Sequence, residues 1–354
     1  TIDVLEGGSQ YNVITPPTVS LDSLTGAGVS ATANVKGQFE RIDIVDPGFD
    51  YVAPPNIEIS GGNGKNAIAR SRLKQVDHFM DFDASSTGNI ISISEDTIGF
   101  GTFHKFRDGE AVIYKTFNTG AIGIASAGIT TTLIQDPPDQ RLVDQSVYFV
   151  SKVNNTTIKL ANNENDALTK SNLLNLTGFA DGTQRFQSLN KKFVLGQIII
   201  ENPGEGYENK RRLVPTVGIN TYSDFIEYKN HGFADGEIIR YSNNQVKVGG
   251  LDTDQDYYVL KISDDRFRLA SAGIGSTLSD ANYISKQFVG MSSVGSGDHI
   301  FNYPPITVSV KGTIGINTVS PEDYHAKISP IVRGSITSIN VENPGLGYGN
   351  NSTF

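Results

Sequence analysis

A segment that ends in a glycine-rich turn and a tyrosine occurs four times in this chain of 354 residues. Three clear copies read IDIVDPGFDY at 42–51, IIIENPGEGY at 198–207 and INVENPGLGY at 339–348, and a weaker copy, IDVLEGGSQY, occupies 2–11. The alternating apolar residues at the start of each copy are typical of a half-buried strand. Proline followed by glycine then predicts a type II turn, because glycine tolerates the positive φ that this turn requires. The repetition predicts a β-rich chain built from copies of a small module.

The rest of the module is also β in character. A strand that opens on two prolines follows at 16–21 and 54–59, and then come a glycine-rich turn and a strand of small residues. We call the whole unit the glycine-tyrosine module. Its turn signature comprises Gly7, Tyr11, Pro47, Gly48, Tyr51, Pro203, Gly204, Gly206, Tyr207, Pro344, Gly345, Gly347 and Tyr348. We expect each tyrosine to bury its ring and to hydrogen-bond its hydroxyl to backbone. Gln10 stands where two copies have glycine, so the first copy is expected to turn differently.

A second unit occurs twice, as HKFRDGEAVIY at 104–114 and HGFADGEIIRY at 231–241, and we call it the His-Phe module. Asp-Gly steps between β-branched runs predict hairpins. The repeat-equivalent residues are His104, Phe106, Gly109, His231, Phe233 and Gly236. No serine or carboxylate recurs beside both histidines in the pattern of a catalytic triad. We therefore expect a structural role for both histidines, either packing the ring or capping a strand end.

The order of these pieces predicts how the modules are connected. After Tyr207 the expected Pro-Pro strand is missing, and it comes only at Pro304, directly after the second His-Phe module. This predicts that the second His-Phe module is inserted in a loop of a glycine-tyrosine module, whereas the first is expected between modules. The predicted boundaries are 1–36, 37–75 and 191–221 plus 303–332 for glycine-tyrosine modules 1 to 3, 333–354 for the start of module 4, and 76–190 and 222–302 for the His-Phe modules.

The fold class that follows is all-β, with tandem small sandwich-like or barrel-like modules of two repeat types, one inserted in loops of the other. One short helix is predicted within 164–174. Because half a β module exposes unpaired strand edges, we expect the sequence to be a segment of a longer array or to pair its ends with neighbours.

Motifs for catalysis or cofactors are few, and no catalytic, cofactor-binding or metal-binding residue is assigned. The absence of cysteine excludes disulfides and thiolate metal sites, and a net charge of −9 disfavours general binding to nucleic acid or anionic membranes. Gly64-Lys65 is followed by Asn66 instead of the Ser or Thr of a phosphate loop. Asp252, Asp254 and Asp256 resemble the start of a calcium loop but lack its glycine and its final glutamate.

The two motifs together resemble the repeat modules of large virion structural proteins in contractile-tailed phages, especially those of marine cyanobacteria. The resemblance rests on segments 42–59, 104–161, 198–207, 231–270 and 336–348. It implies a non-enzymatic part of a tail, baseplate, neck or fibre, located in the virion, with other virion proteins and copies of itself as partners. No cofactor, nucleic acid or membrane is implied.

Two alternatives from other classes stay open. A receptor-binding adhesin would offer a surface groove for a host glycan. A polysaccharide-cleaving enzyme would hold two carboxylates at catalytic separation in a cleft.

Overall fold

The computed structural model describes residues 2–19, 30–88, 90–125, 140–272, 285–315 and 324–343. The first strands are β1 (Tyr11–Asn12), β2 (Thr18–Val19), β3 (Ser30–Asp46), β4 (Asn56–Ser60) and β5 (Lys65–Val76). Next come β6 (Phe79–Asp83), β7 (Ile91–Ser92), β8 (Thr97–Gly99), β9 (Ala111–Lys115), β10 (Gly123–Ala125), β11 (Val147–Lys152), β12 (Thr157–Ala161), helix α1 (Glu164–Thr169), β13 (Asn175–Gly178) and β14 (Thr183–Ser188). They are followed by β15 (Lys192–Glu205), β16 (Tyr207–Glu208), β17 (Arg211–Val214), a 3-10 turn (Thr216–Gly218), β18 (Ile219–Asn220), β19 (Phe225–Glu227), β20 (Ile238–Asn243), β21 (Gln255–Lys261), β22 (Arg266–Ser271) and β23 (His299–Asn302). The last described strands are β24 (Thr307–Lys311) and β25 (Lys327–Asn343).

The glycine-tyrosine modules combine in one central body of two sheets, which we call the frame. One sheet has the order β1-β25-β3-β16, with β2 paired to β3, and the other has the order β15-β5-β4-β24. Buried side chains between the sheets include Val35, Phe39, Tyr207 and Val332. The alternating apolar residues of the repeat thus face a shared core, as their period of two predicted.

Strands β3 and β25 are the longest in the frame, at 17 residues each. In each of them the small-residue strand of one module continues directly into the strand that opens the next glycine-tyrosine motif, which we call the isoleucine strand. A module boundary therefore lies inside each strand. They pair antiparallel over most of their length, with Gly37 opposite Gly334 near the middle. The tyrosine turns flank this pair, because Tyr207 lies opposite Gly37 and Tyr11 lies opposite Gly334. The sheet is therefore organised about an approximate two-fold axis between the two glycines.

The two His-Phe modules form two sheets of seven strands with the same connectivity. The first has the order β6-β14-β9-β11-β12-β8-β7 and the second has the order β17-β23-β20-β21-β22-β19-β18. Numbered within its own sheet, each follows the order 1-7-4-5-6-3-2. Each sheet has its own buried core, around Phe106 and Phe186 in the first and around Phe233 and Phe301 in the second. Matching topology and matching core residues indicate that the repeated sequences are repeated folds.

Both His-Phe sheets are inserted in the frame. The second lies between β16 and β24, and the first lies between β5 and β15, which pair directly with each other. The first sheet stands between β5, the last strand of module 2, and β15, the first strand of module 3, and the pairing of these two strands brings its two ends together. The second sheet begins at Arg211, so it extends beyond the predicted span of 222–302. The sequence alone did not reveal strand β17, because its residues match no repeated motif.

The all-β, multi-module prediction is confirmed by this arrangement. The predicted helix is also present but shorter, at Glu164–Thr169, because Lys170 adopts a left-handed φ of 55° that ends it. The expectation that Gln10 changes the first turn is wrong. Gln10 has a φ of 66°, close to the 62° of Asp50 and the 78° of Gly206. Pairing of the adjacent Tyr11 with β25 outweighs the modest cost of this conformation for a residue with a side chain.

Candidate functional site

The glycine-tyrosine turns are built the same way in the second and third modules. Asp46 and Asn202 each accept the backbone N–H two residues ahead, at 2.9 Å, which shapes the start of the turn. Gly48 and Gly204 have φ values of 64° and 67°. A Cβ atom on Gly48 would lie 2.6 Å from the Ala326 nitrogen, so only glycine allows the neighbouring strand to approach.

The tyrosines of these two turns fix the turn to the strand that passes behind it. The Tyr51 hydroxyl accepts the Ala326 N–H at 2.6 Å, and the Tyr207 hydroxyl accepts the Ala67 N–H. Burial raises the pKa of both hydroxyls above the ordinary value of 10. Pro344, Gly345, Gly347 and Tyr348, the signature of the fourth copy, lie outside the described residues.

Both ring nitrogens of His104 and of His231 are hydrogen-bonded to backbone groups, in the same way in the two modules. His104 accepts the Phe106 N–H through Nδ1 at 3.0 Å, and its Nε2 lies 2.8 Å from the Asn154 carbonyl oxygen. His231 accepts the Phe233 N–H at 3.0 Å, and its Nε2 lies 2.9 Å from the Ser263 carbonyl oxygen. Because one nitrogen accepts and the other faces an acceptor, the geometry assigns the neutral, Nε2-protonated tautomer.

Burial reinforces this neutral state. Both rings are fully buried, and burial lowers the pKa of His104 to about 4 and that of His231 below its ordinary 6.5. Gly109 and Gly236, with φ values of 74° and 82°, complete the turns and donate to the Val150 and Val259 carbonyls at 2.8 Å. These residues shape the turn, and each ring nitrogen is already engaged with the backbone.

A buried ionic cluster joins the first His-Phe module to the frame. Lys192, only 2 % exposed, lies 2.8 Å from a Glu110 carboxylate oxygen and 3.8 Å from an Asp50 oxygen. Arg107 binds the same Asp50 oxygen at 2.5 Å. Glu110 also accepts hydrogen bonds from the Arg107 N–H and from the Ser188 hydroxyl. The buried Lys192, Glu110 and Asp50 are thus compensated by one another and by the partly exposed Arg107, which makes their burial tolerable.

A related cluster joins the second His-Phe module to the frame. Glu237, which corresponds to Glu110, accepts from the Tyr303 hydroxyl at 2.6 Å, and Tyr303 occupies the sheet position of Ser188. Lys210 donates to the same hydroxyl at 2.8 Å and lies 3.6 Å from Glu208. Burial and the neighbouring carboxylates raise the pKa of Tyr303, so it stays a hydrogen-bond donor to Glu237. We call these two sites the module junctions.

Sequence reasoning did not identify the module junctions as sites. Glu110 and Lys192 are 82 residues apart in the chain. One signal was available, because the glutamate after Asp-Gly is common to both His-Phe motifs. The lysine partners carried no such signal, since Lys192 follows the first module and Lys210 precedes the second.

One surface depression is a groove of about 480 Å³ above the central glycine pair. Gly37 and Gly334 line it, and the polar side chains around it include Gln10, Glu40 and Arg333. Arg333 is held at 3.2 Å from Glu40. A second cleft shares Lys36, Glu205 and Gly206 with this groove and extends to the second junction, where it is lined by Lys210, Glu237 and Tyr303. The two depressions therefore lie next to each other and share part of their lining.

The carboxylates that resembled a calcium loop do not converge. Asp256 is engaged with Arg240 at 2.7 Å, and Asp252 pairs with Lys247. Across the residues that the structure describes, no three His, Asp or Glu side chains are grouped closely enough to hold a metal ion. The described part of the chain also contains no helix with the length and apolarity needed to cross a membrane.

Comparison of this chain with known protein families, with curated proteins and with solved structures found no match.

Proposed function

We propose that this chain is a non-enzymatic structural component of a phage virion, associated with a tail, baseplate or fibre, in which it acts as a rigid β-rich assembly or spacer element. The observation that carries the proposal is the pair of module junctions. At the first, the buried Lys192 of the frame pairs with Glu110 of the inserted sheet, and at the second Lys210 donates to the Tyr303 hydroxyl, which in turn donates to Glu237. Such connections suit a part that must hold its modules in fixed orientation.

The use of reactive side chains supports the same proposal. His104, His231, Glu110 and Glu237 are the residues whose chemistry suits proton transfer, and each is bound to backbone or to a neighbouring side chain inside a turn. Their backbone partners are equivalent in the two copies, which is expected when a residue maintains a fold. The resemblance of the repeats to contractile-tail proteins supplies the location.

The location can be tested on purified particles of a contractile-tailed cyanophage that encodes this chain. Antibodies raised against the isolated protein should label a single region of the particle in electron micrographs. Mass spectrometry of the particles should find the chain in several copies. Absence of the chain from particles that retain their tails would overturn the proposal.

A glycan-binding role is the second candidate, and the groove over Gly37 and Gly334 favours it. Its walls offer amide, carboxylate and guanidinium groups, which are the groups that bind sugar hydroxyls. Glycan-array binding by the wild type that is lost in Glu40→Ala would support this candidate. Equal signals from the two proteins would remove it.

A further inference from the structure

The first module junction places a lysine amine beside two carboxyl groups in the interior of the protein. The Lys192 Nζ atom lies 2.8 Å from a Glu110 carboxylate oxygen and 3.8 Å from an Asp50 oxygen. The side chains of Lys192, Glu110 and Asp50 are only 2 %, 1 % and 4 % exposed. A neutral lysine amine is a nucleophile, and a carboxylate within hydrogen-bond distance is a base that can remove its proton. The junction therefore brings together a nucleophile, a base and the electrophilic carbon of a second carboxyl group.

The second module junction has an equivalent base but a different residue in place of the electrophile. Glu237 corresponds to Glu110 in the repeat. The turn position of Asp50 is occupied there by Gly206, whose φ of 78° is close to the 62° of Asp50. This left-handed conformation favours glycine, so an aspartate adopts it at a modest cost. The carboxyl group of Asp50 is thus what distinguishes the first junction from the second.

We propose that Lys192 and Asp50 join in an intramolecular amide bond, with Glu110 as the proton carrier. The ion pairs described above are the reactant state. The Lys192 ammonium gives a proton to Glu110, which passes it to Asp50 Oδ1. The neutral amine then attacks Asp50 Cγ, the C–N bond forms and the C–Oδ1 bond breaks, and Glu110 carries a second amine proton to the leaving hydroxyl. One ammonium and one carboxylate become one amide and one water, so the step needs no oxidant or co-reactant.

Arg107 supports this step at the other Asp50 oxygen. Its Nε atom and a terminal nitrogen both contact Oδ2, at 2.7 Å and 2.5 Å. Oδ2 carries the negative charge of the tetrahedral intermediate, and a guanidinium fixed beside it stabilises that charge. Two further effects favour the bond. The folded chain holds the amine and the carboxyl group close together, and the reaction removes two charges from the interior, where charges are costly.

The bond closes a covalent loop around the first inserted module. Asp50 lies in the turn that follows β3, and Lys192 is the first residue of β15. The chain between them contains β4, β5 and the whole first His-Phe sheet. A cross-link at this point keeps the base of the insertion closed when the pairing of β5 with β15 is disturbed. The inference rests on the junction alone and is independent of the virion role.

The test is intact mass spectrometry of the purified full chain under denaturing conditions. We expect a mass about 18 Da below the sequence value, because one water is lost when the bond forms. Tandem mass spectrometry of a tryptic digest should find one branched peptide in which Lys192 is joined to Asp50. Lys192→Arg and Asp50→Ala should each restore the full mass. Lys191→Arg is the matched control, at an exposed lysine that pairs with Asp77, and should keep the loss.

Glu110→Gln separates proton transfer by the glutamate from its packing. Glutamine keeps the size of the side chain but does not carry a proton, so the folded variant should form the bond at least about a hundredfold more slowly. Mass measurements at intervals after purification give the joined fraction. Joining in this variant as complete as in the wild type would overturn the role of Glu110.

Two results for the wild type would overturn the proposal itself. One is the full sequence mass in protein that is folded by circular dichroism. The other is a loss of water without a branched peptide, which is typical of an aspartyl succinimide. If a variant proves unfolded, the wild-type mass and its branched peptide still decide. Particle labelling tests the virion role separately, and neither outcome there changes the mass expected here.

Discussion

Gly37 and Gly334 face each other in the central sheet so closely that a Cβ atom on either residue would lie 2.7 Å from the Cα atom of the other. Each glycine is the eighth residue of a 17-residue strand. The pair lets β3 and β25 approach each other closely at their middles, where neither strand has a side chain. The whole central sheet is built around this contact.

Alanine at this contact should destabilise the frame. We expect Gly37→Ala and Gly334→Ala each to lower the free energy of unfolding by about 1–3 kcal/mol, because the added methyl group forces the two backbones apart. Chemical denaturation measures the change. Gly290→Ala is the matched control, since a Cβ atom there meets nothing within 4 Å. A loss at Gly290 as large as that at Gly37 would contradict this account.

Removal of a turn hydroxyl should be costly only where the hydroxyl is buried. Tyr51→Phe leaves the Ala326 N–H without its acceptor, and we expect a loss of about 1–3 kcal/mol. Tyr222→Phe, at a tyrosine that is 96 % exposed, should change stability by less than about 0.5 kcal/mol. Thermal or urea unfolding of both variants decides the matter. Equal effects would show that the Tyr51 hydroxyl does not secure the turn.

The first module junction should depend strongly on its lysine. Lys192→Met leaves Glu110 buried without its cation, and we expect a loss of about 3–5 kcal/mol. Lys191→Met, next in the chain, breaks an exposed pair with Asp77 and should cost less than about 1 kcal/mol. Limited proteolysis near the junction gives a second readout, because a loosened module exposes its linkers. Matching stability of the two variants would reject the junction as a lock.

Acidification should destabilise the first His-Phe module through two buried histidines. Burial lowers the pKa of His78 and of His104 to about 4 from an ordinary value of 6.5. The neutral rings therefore contribute stability that is complete above 6.5 and is lost as the pH falls towards 4, because the unfolded chain takes up protons first. We expect a loss approaching about 3 kcal/mol for each histidine over this range.

The contribution of one histidine can be isolated by comparing pH slopes. His104→Gln should unfold with a shallower dependence on pH than the wild type between about pH 7 and pH 4, since one titrating group is gone. Urea midpoints at several pH values provide the measurement. Parallel slopes for the two proteins would mean that His104 is not held neutral in the fold.

The sequence was informative wherever structure depends on local chemistry. The positive φ of Gly48 and Gly204 follows from adjacent residues of the turn motif, and the insertion of the second His-Phe module follows from the order of the repeated motifs. Gln10 is the exception among the turns, because strand pairing of its neighbour decides its conformation.

Contacts between distant segments could not be predicted in the same way. Nothing in the sequence near Gly37 identifies Gly334 as its partner. The junction lysine follows the inserted module in one case, Lys192, and precedes it in the other, Lys210. The groove above the glycine pair was also missed, since it exists only where two long strands from distant parts of the chain pair at their glycines. The repeats predict the parts of this fold, whereas the pairing of module 1 with module 4 is set by the packing of the complete frame.

The insertion of the first His-Phe sheet has a practical consequence. Val76, where the chain leaves the frame, is paired with Lys192, where the chain returns. A domain whose two termini are adjacent can be inserted here without moving the strands of the frame. This position is therefore suited to grafting an enzyme, a label or a receptor-binding domain. Exchange at this one position would allow a lineage, or an engineer, to change the inserted domain while the two sheets of the frame stay the same.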